Sequence, residues 1–179
     1  MPLCRKNQFT QKGFQTGRTG DMMKHFLIKN CLIVFLFLGL IHISTANNVL
    51  SSEIKWASYQ NGMTSAKAEG KKIFLHFYAS WCGYCKTMDQ KTFKDVSVIQ
   101  YLNENFIPIR VDSDQQKELT VQYQVRGLPS NWFLQTDGEK IANRPGYISP
   151  EQMIDFLRFI HTDSYKKMNI NEFLQNRKQ

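Results

Sequence analysis

The feature that most constrains this chain is a pair of cysteines set where a buried strand should give way to a helix. Residues Lys72 to Ala79 (KIFLHFYA) are nearly all apolar or aromatic, the pattern of a strand covered on both faces. Trp81-Cys82-Gly83-Tyr84-Cys85 sits at its end, and Gly83 to Thr92 reads as a helix. Two residues between the cysteines let both sulfurs meet across the first turn of that helix. Cys82 then lies at the helix N-terminus, where unpaired N–H groups and the helix dipole favour a thiolate. Thiols so placed have pKa values of about 3.5–7.5 rather than about 8.5, and Lys86 adds positive charge one turn on. Cys82 is therefore the expected nucleophile toward a disulfide. Cys85, one turn inward and less exposed, is expected to resolve the mixed disulfide. Trp81 and Tyr84 flank the sulfurs with flat apolar surface.

Two other uses of the pair carry less weight. A structural disulfide across two residues closes too small a loop to stabilise much. A metal site needs two more ligands, and His76 is the only imidazole nearby.

The net charge of +8 invites a nucleic-acid reading, but the charge is unevenly placed. Residues 1–46 carry +5, from six Lys/Arg against Asp21 alone. Residues 47–179 carry only +3, with no basic block of the kind nucleic-acid binding needs. The first segment also has the plan of a secretory signal peptide. Lys24, His25 and Lys29 precede the apolar run 31–41 (CLIVFLFLGLI), and the small residues Ser44 and Ala46 follow it. Cleavage is expected after Ala46, with an uncleaved membrane anchor as the alternative. Residues 1–22 are polar and aperiodic, and Met22 or Met23 is a candidate for the true translation start. Cys4 and Cys31 fall in this leader, so Cys82 and Cys85 alone remain, in a periplasmic or secreted setting where disulfides persist.

Residues 47–161 read as one domain. Helices are expected over Ala57–Gly70, Gly83–Thr92, Val96–Asn105 and Asp114–Tyr123, and strands over Lys72–Ala79 and Phe106–Val111. Pro108 leaves the second strand's boundary soft, since it donates no ladder hydrogen bond. Asp137-Gly138 turns a hairpin between Asn131–Gln135 and Lys140–Arg144. Ser149-Pro150-Glu151-Gln152 is a strong helix start, followed by the apolar stripe Met153, Ile154, Leu157 and Ile160. The fold class is α/β, a mixed sheet with helices on both faces. Residues 162–179 form a polar tail in which Ile170, Phe173 and Leu174 can make a short docking helix.

FYASWCGYCK, then VRGLPS, then PGYISPEQMIDFL, together resemble the thioredoxin superfamily over roughly residues 55–161. Within it the chain is most similar to exported thioredoxin-like proteins and to the C-terminal domain of DsbD-type disulfide transporters, which also carry a Thr-Phe pair like Thr92-Phe93. The resemblance implies a thioredoxin-like fold and a cis-proline at Pro129 opposite the dithiol, leaving the backbone of Leu128 free to pair with an extended substrate. It implies that Gly127 gives room for a turn and Gly146 a close backbone approach. His76 stands where thioredoxins carry a buried acid thought to handle the resolving cysteine's proton. A histidine there either moves protons, and if charged supports the thiolate, or is a core histidine with one satisfied hydrogen bond. Gly83-Tyr84 is similar to the dipeptide of bacterial disulfide isomerases, and points to a protein less reducing than thioredoxin.

The function expected from this is an exported thiol–disulfide oxidoreductase, most simply a reductant or electron relay acting on protein thiols and disulfides. It would draw electrons from a membrane disulfide transporter, work as a monomer, and need no cofactor beyond a Cys82–Cys85 redox-active disulfide. The alternatives are a disulfide oxidase or isomerase, and a Cu(I)-delivering module using the two cysteines and a methionine. An inactive adhesive fold is a weaker one.

Overall fold

The computed structural model describes residues 51–177. The expectations for the leader, the cleavage after Ala46 and the translation start fall outside the described residues.

Twelve short elements alternate along the described chain. They are α1 (Tyr59–Glu69), β1 (Lys72–Tyr78), α2 (Gly83–Gln90), a 3-10 turn (Thr92–Lys94), α3 (Val96–Asn105), β2 (Phe106–Asp112), α4 (Lys117–Gln122), β3 (Ser130–Leu134), β4 (Lys140–Pro145), α5 (Pro150–His161), a second 3-10 turn (Ser164–Lys166) and α6 (Ile170–Asn176). The sheet order is β2-β1-β3-β4, with β1 parallel to β2 and antiparallel to β3. The antiparallel β3–β4 hairpin completes the mixed sheet. β1 is central and buried throughout its interior, as its unbroken apolar run requires.

Alternate residues of β1 serve two cores. Ile73, Leu75 and Phe77 meet Ile109, Val111, Leu134 and Ala66 on the α1 side. Phe74 meets Met88, Phe93, Leu102, Phe133, Met153 and Leu157 on the side of α2, α3 and α5. The period-2 geometry of a strand divides the chain into these layers. α5 starts as its sequence dictates: Ser149 and Gln152 close a capping box and Pro150 opens the first turn. Met153, Leu157 and Ile160 are buried along its stripe, with Phe159 beside them.

Pro108 sits inside β2 because β2 is an edge. Its carbonyl accepts the Ala57 N–H at 2.8 Å on the side away from β1. In an extended strand a residue's nitrogen and carbonyl share a side, so the missing N–H also faces outward and the β1 ladder loses nothing.

Three helix boundaries differ from expectation by two residues or more. α1 begins at Tyr59 rather than Ala57, because Ser58 caps it and Ala57 pairs with β2. α4 begins at Lys117, not Asp114, because the Asp112 carboxylate accepts the Asp114 N–H at 2.9 Å and holds 113–115 in a turn. α2 ends at Gln90, and Thr92 enters the 3-10 turn with its hydroxyl donating to the Ile148 carbonyl at 2.6 Å. In the tail, α6 packs Ile170 and Phe173 on the α5 side of the core, the Phe173 ring lying 5.4 Å from that of Phe159. Leu174 is half-buried and outside that cluster.

Candidate functional site

β1 delivers the chain to the sheet's end, and α2 begins there with Cys82 as its N-cap. A cap must turn back an otherwise unpaired N–H. Here the Cys82 sulfur does so, accepting the Cys85 N–H at 3.1 Å. Cys82 and Cys85 form a disulfide, with Cα atoms 5.2 Å apart. Cys82 keeps 5% of its surface exposed and Cys85 1%, so the outer sulfur belongs to the N-cap and the inner one to the helix. Lys86 is exposed in the next turn.

Two aromatic residues stand proud of this surface. Trp81 is 68% and Tyr84 67% exposed, among the most exposed large apolar residues described. Trp81 is not free to swing: its indole N–H donates to the Asp114 carboxylate at 2.9 Å. That carboxylate comes from the turn that delays α4.

The Leu128–Pro129 peptide bond is cis. Leu128 packs against the cluster of Ala79, Cys82 and Cys85, beside the disulfide. The Pro129 carbonyl accepts the Gly146 N–H at 2.8 Å. Gly146 has φ +86°, and a Cβ there would touch nothing. Its reason is backbone conformation, which corrects the expected close approach. Gly127 has neither a positive φ nor a neighbour that a Cβ would meet, so no demand on glycine exists there.

His76 is fully buried on β1, facing the α2 side. Its Nδ1 lies 2.8 Å from Asn131 Oδ1. The Asn131 amide nitrogen donates to the carbonyls of Arg144 (3.0 Å) and Gly146 (3.2 Å), which fixes its orientation. Nδ1 must therefore carry the proton and donate, leaving Nε2 as an unpartnered buried acceptor. Burial pushes the pKa of His76 down to about 4, outweighing the hydrogen bond it donates to Asn131; Arg110 lowers it further, and Asp89 opposes. Burial thus favours the neutral form of the ring.

Sequence reasoning passed over four residues here. Arg110 pairs with Asp89 of α2 at 2.8 Å and lies 3.9 Å over the Tyr78 ring, tying the dithiol helix to β2. Asn131 and Asp114 were the others. Only Asn131 left a signal, a strand-averse residue amid apolar neighbours. Among the described residues no group of three or more His, Cys, Asp or Glu side chains gathers as metal ligands.

Comparison with known proteins follows the same outline. The family model described as a thioredoxin-like domain matches residues 59–161. The thioredoxin-like protein CITRX, chloroplastic, of Solanum tuberosum is 37% identical over 82 residues, 46% of this chain and 45% of that one. The thiol:disulfide interchange protein DsbD of Actinobacillus pleuropneumoniae is 33% identical over 107 residues, 56% of this chain but 18% of that protein. The chain thus spans half or less of these two relatives' lengths. A solution structure of a thioredoxin from Thermus thermophilus superposes with a TM-score of 0.55 at 25% identity, covering 59% of this chain and 85% of that one. The DsbH oxidoreductase structure, at 20% identity and TM-score 0.54, covers 71% and 94% and speaks to the fold alone.

Proposed function

We infer the function of this chain from its kinship: it belongs to the thioredoxin-like family of disulfide oxidoreductases, and it carries a cysteine pair in the place that chemistry uses. The reading is an exported thiol–disulfide oxidoreductase acting on protein disulfides as a reductant or electron relay. The observation that carries it is the Cys82 sulfur capping α2, with Leu128 packed against it.

The exchange balances as follows. The Cys82 thiolate attacks one sulfur of a substrate disulfide. That S–S bond breaks, a mixed disulfide forms, and one substrate thiolate leaves and takes a proton from water. Cys85 gives up its proton and attacks the Cys82 sulfur. The second substrate thiolate leaves, and the chain keeps the Cys82–Cys85 disulfide. Two electrons pass to the substrate, and the oxidised form described here is the end of the cycle. A dithiol donor, on this reading a membrane disulfide transporter, restores the pair.

Trp81, Tyr84, Leu128 and Pro129 form the surface that receives the extended substrate, with the Leu128 backbone as its pairing edge. His76 is read as a structural group. A base whose conjugate acid has a pKa of about 4 is too weak to draw a proton from a thiol of ordinary pKa, about 8.5.

Trapping tests the reading directly. Cys85→Ser should stall as a mixed disulfide through Cys82, and mass spectrometry identifies what is caught. Direction follows from the reduction potential. A value near about −270 mV supports a reductant, and one near about −120 mV overturns it in favour of an oxidase. N-terminal sequencing of the exported protein should begin at Asn47.

A further inference from the structure

One row of side chains crosses the whole sheet at a single level: Arg110 of β2, His76 of β1, Asn131 of β3 and Arg144 of β4 are successive cross-strand partners. All four are polar in a sheet that is otherwise apolar at its centre. His76 and Asn131 are wholly buried. Burying an imidazole and a carboxamide is costly where an apolar pair would fill the space, so what they hold matters.

They hold the end of β4. The last β3–β4 pair is Ser130 with Pro145, a pair that exchanges no main-chain bond of its own, so the end of β4 is held by the bonds on either side of it. The Asn131 carboxamide adds side-chain donors on either side of Pro145, one to the Arg144 carbonyl and one to the Gly146 carbonyl. The Gly146 N–H in turn donates to the Pro129 carbonyl. Asn143 adds a second tie, its amide donating to the Ser130 hydroxyl at 3.1 Å. With the amide nitrogen facing the two carbonyls, His76 Nδ1–H donates to the Asn131 carboxamide oxygen and so holds the side chain in that orientation. A continuous hydrogen-bonded path thus runs from β1 through Asn131 and Gly146 to Pro129.

We propose that Asn131, oriented by His76, is a positioning residue for disulfide exchange: it clamps residues 144–146 and through Gly146 sets the Leu128–Pro129 segment against the dithiol. The proposal rests on the reading that this segment receives the protein substrate. The Asn–His pair then serves substrate docking.

The test uses the full chain and two substrates. Insulin is a protein disulfide that needs the 128–129 edge; a small aromatic disulfide such as dithiobis(nitrobenzoate) does not. Asn131→Leu keeps the volume and removes both donors. It should raise KM for insulin about tenfold, the factor that one net hydrogen bond corresponds to, with a much smaller change in kcat. The rate with the small disulfide should fall far less than kcat/KM for insulin. Asn131→Asp keeps the acceptor for His76 but loses the donors, and should show the same split. Equal losses on both substrates, or no loss on insulin, overturn the proposal. A wild-type chain that reduces neither substrate overturns the underlying reading instead. Nitrogen-15 NMR of the wild-type chain is independent of how the variants fold: it should find His76 as the Nδ1–H tautomer and the Gly146 amide protected from exchange, and an Nε2–H tautomer or a fast-exchanging Gly146 overturns the proposal.

Discussion

The backbone N–H of Cys85 points at the sulfur of Cys82, 3.1 Å away, so that sulfur caps the first turn of the dithiol helix. Reduction leaves that donor in place, and a donor aimed at sulfur favours the thiolate. In the reduced protein Cys82 should react with iodoacetamide ahead of Cys85. Peptide mapping after brief alkylation at mildly acid pH reads this out. Preferential labelling of Cys85 would reverse the assigned roles.

His76 makes stability depend on pH in a calculable direction. In the unfolded chain its pKa is near 6.5, and burial holds it at about 4 in the fold. Between those values the unfolded chain binds the proton and the folded one does not. This group's contribution is therefore full above about pH 6.5 and lost as pH falls toward about 4, by something of order 3 kcal/mol. Urea denaturation at about pH 7.5 and about pH 4.5 should show the drop, and His76→Gln should lose less over the same range.

Gly62 lets α1 lie close on the sheet. A Cβ there would stand 2.3 Å from Ile109 Cγ1 and 2.4 Å from its Cδ1, and Ile109 is wholly buried. Gly62→Ala gains about 1 kcal/mol of helix propensity but forces β2 and α1 apart. The net loss should be about 1–3 kcal/mol, measured as a lower urea midpoint.

Gln124 ends α4 in the left-handed region at φ 52°, with Val125 N–H bonded back to the Thr120 carbonyl at 3.0 Å. A side chain costs about 1 kcal/mol in that conformation and glycine does not. Gln124→Gly should raise Tm by a few degrees. Asp163 has a similar φ of 56°, but its carboxylate pairs with Lys72 and Lys166 at 3.2 and 3.1 Å, so Asp163→Gly should bring no such gain.

What the sequence disclosed was local or periodic. The run KIFLHFYA gives a buried strand because both its faces are apolar, and Ser149 with Gln152 gives a helix start because the cap closes within three residues. The dithiol is legible for the same reason, its two members being one turn apart. What stayed hidden depends on partners far along the chain. Asn131 acquires meaning from His76, 55 residues earlier, and Trp81 from Asp114, 33 residues later. The start of α4 was misplaced because a single carboxylate, Asp112, outbids the helix for the Asp114 N–H. Gly62 reads as an ordinary helix residue until Ile109 is packed on it.

Both outer strands carry a proline, Pro108 within β2 and Pro145 at the end of β4. Neither flank therefore offers an arriving polypeptide an unbroken row of donors on which to stack. The two flanks of the sheet are thereby poor templates for the stacking of further strands.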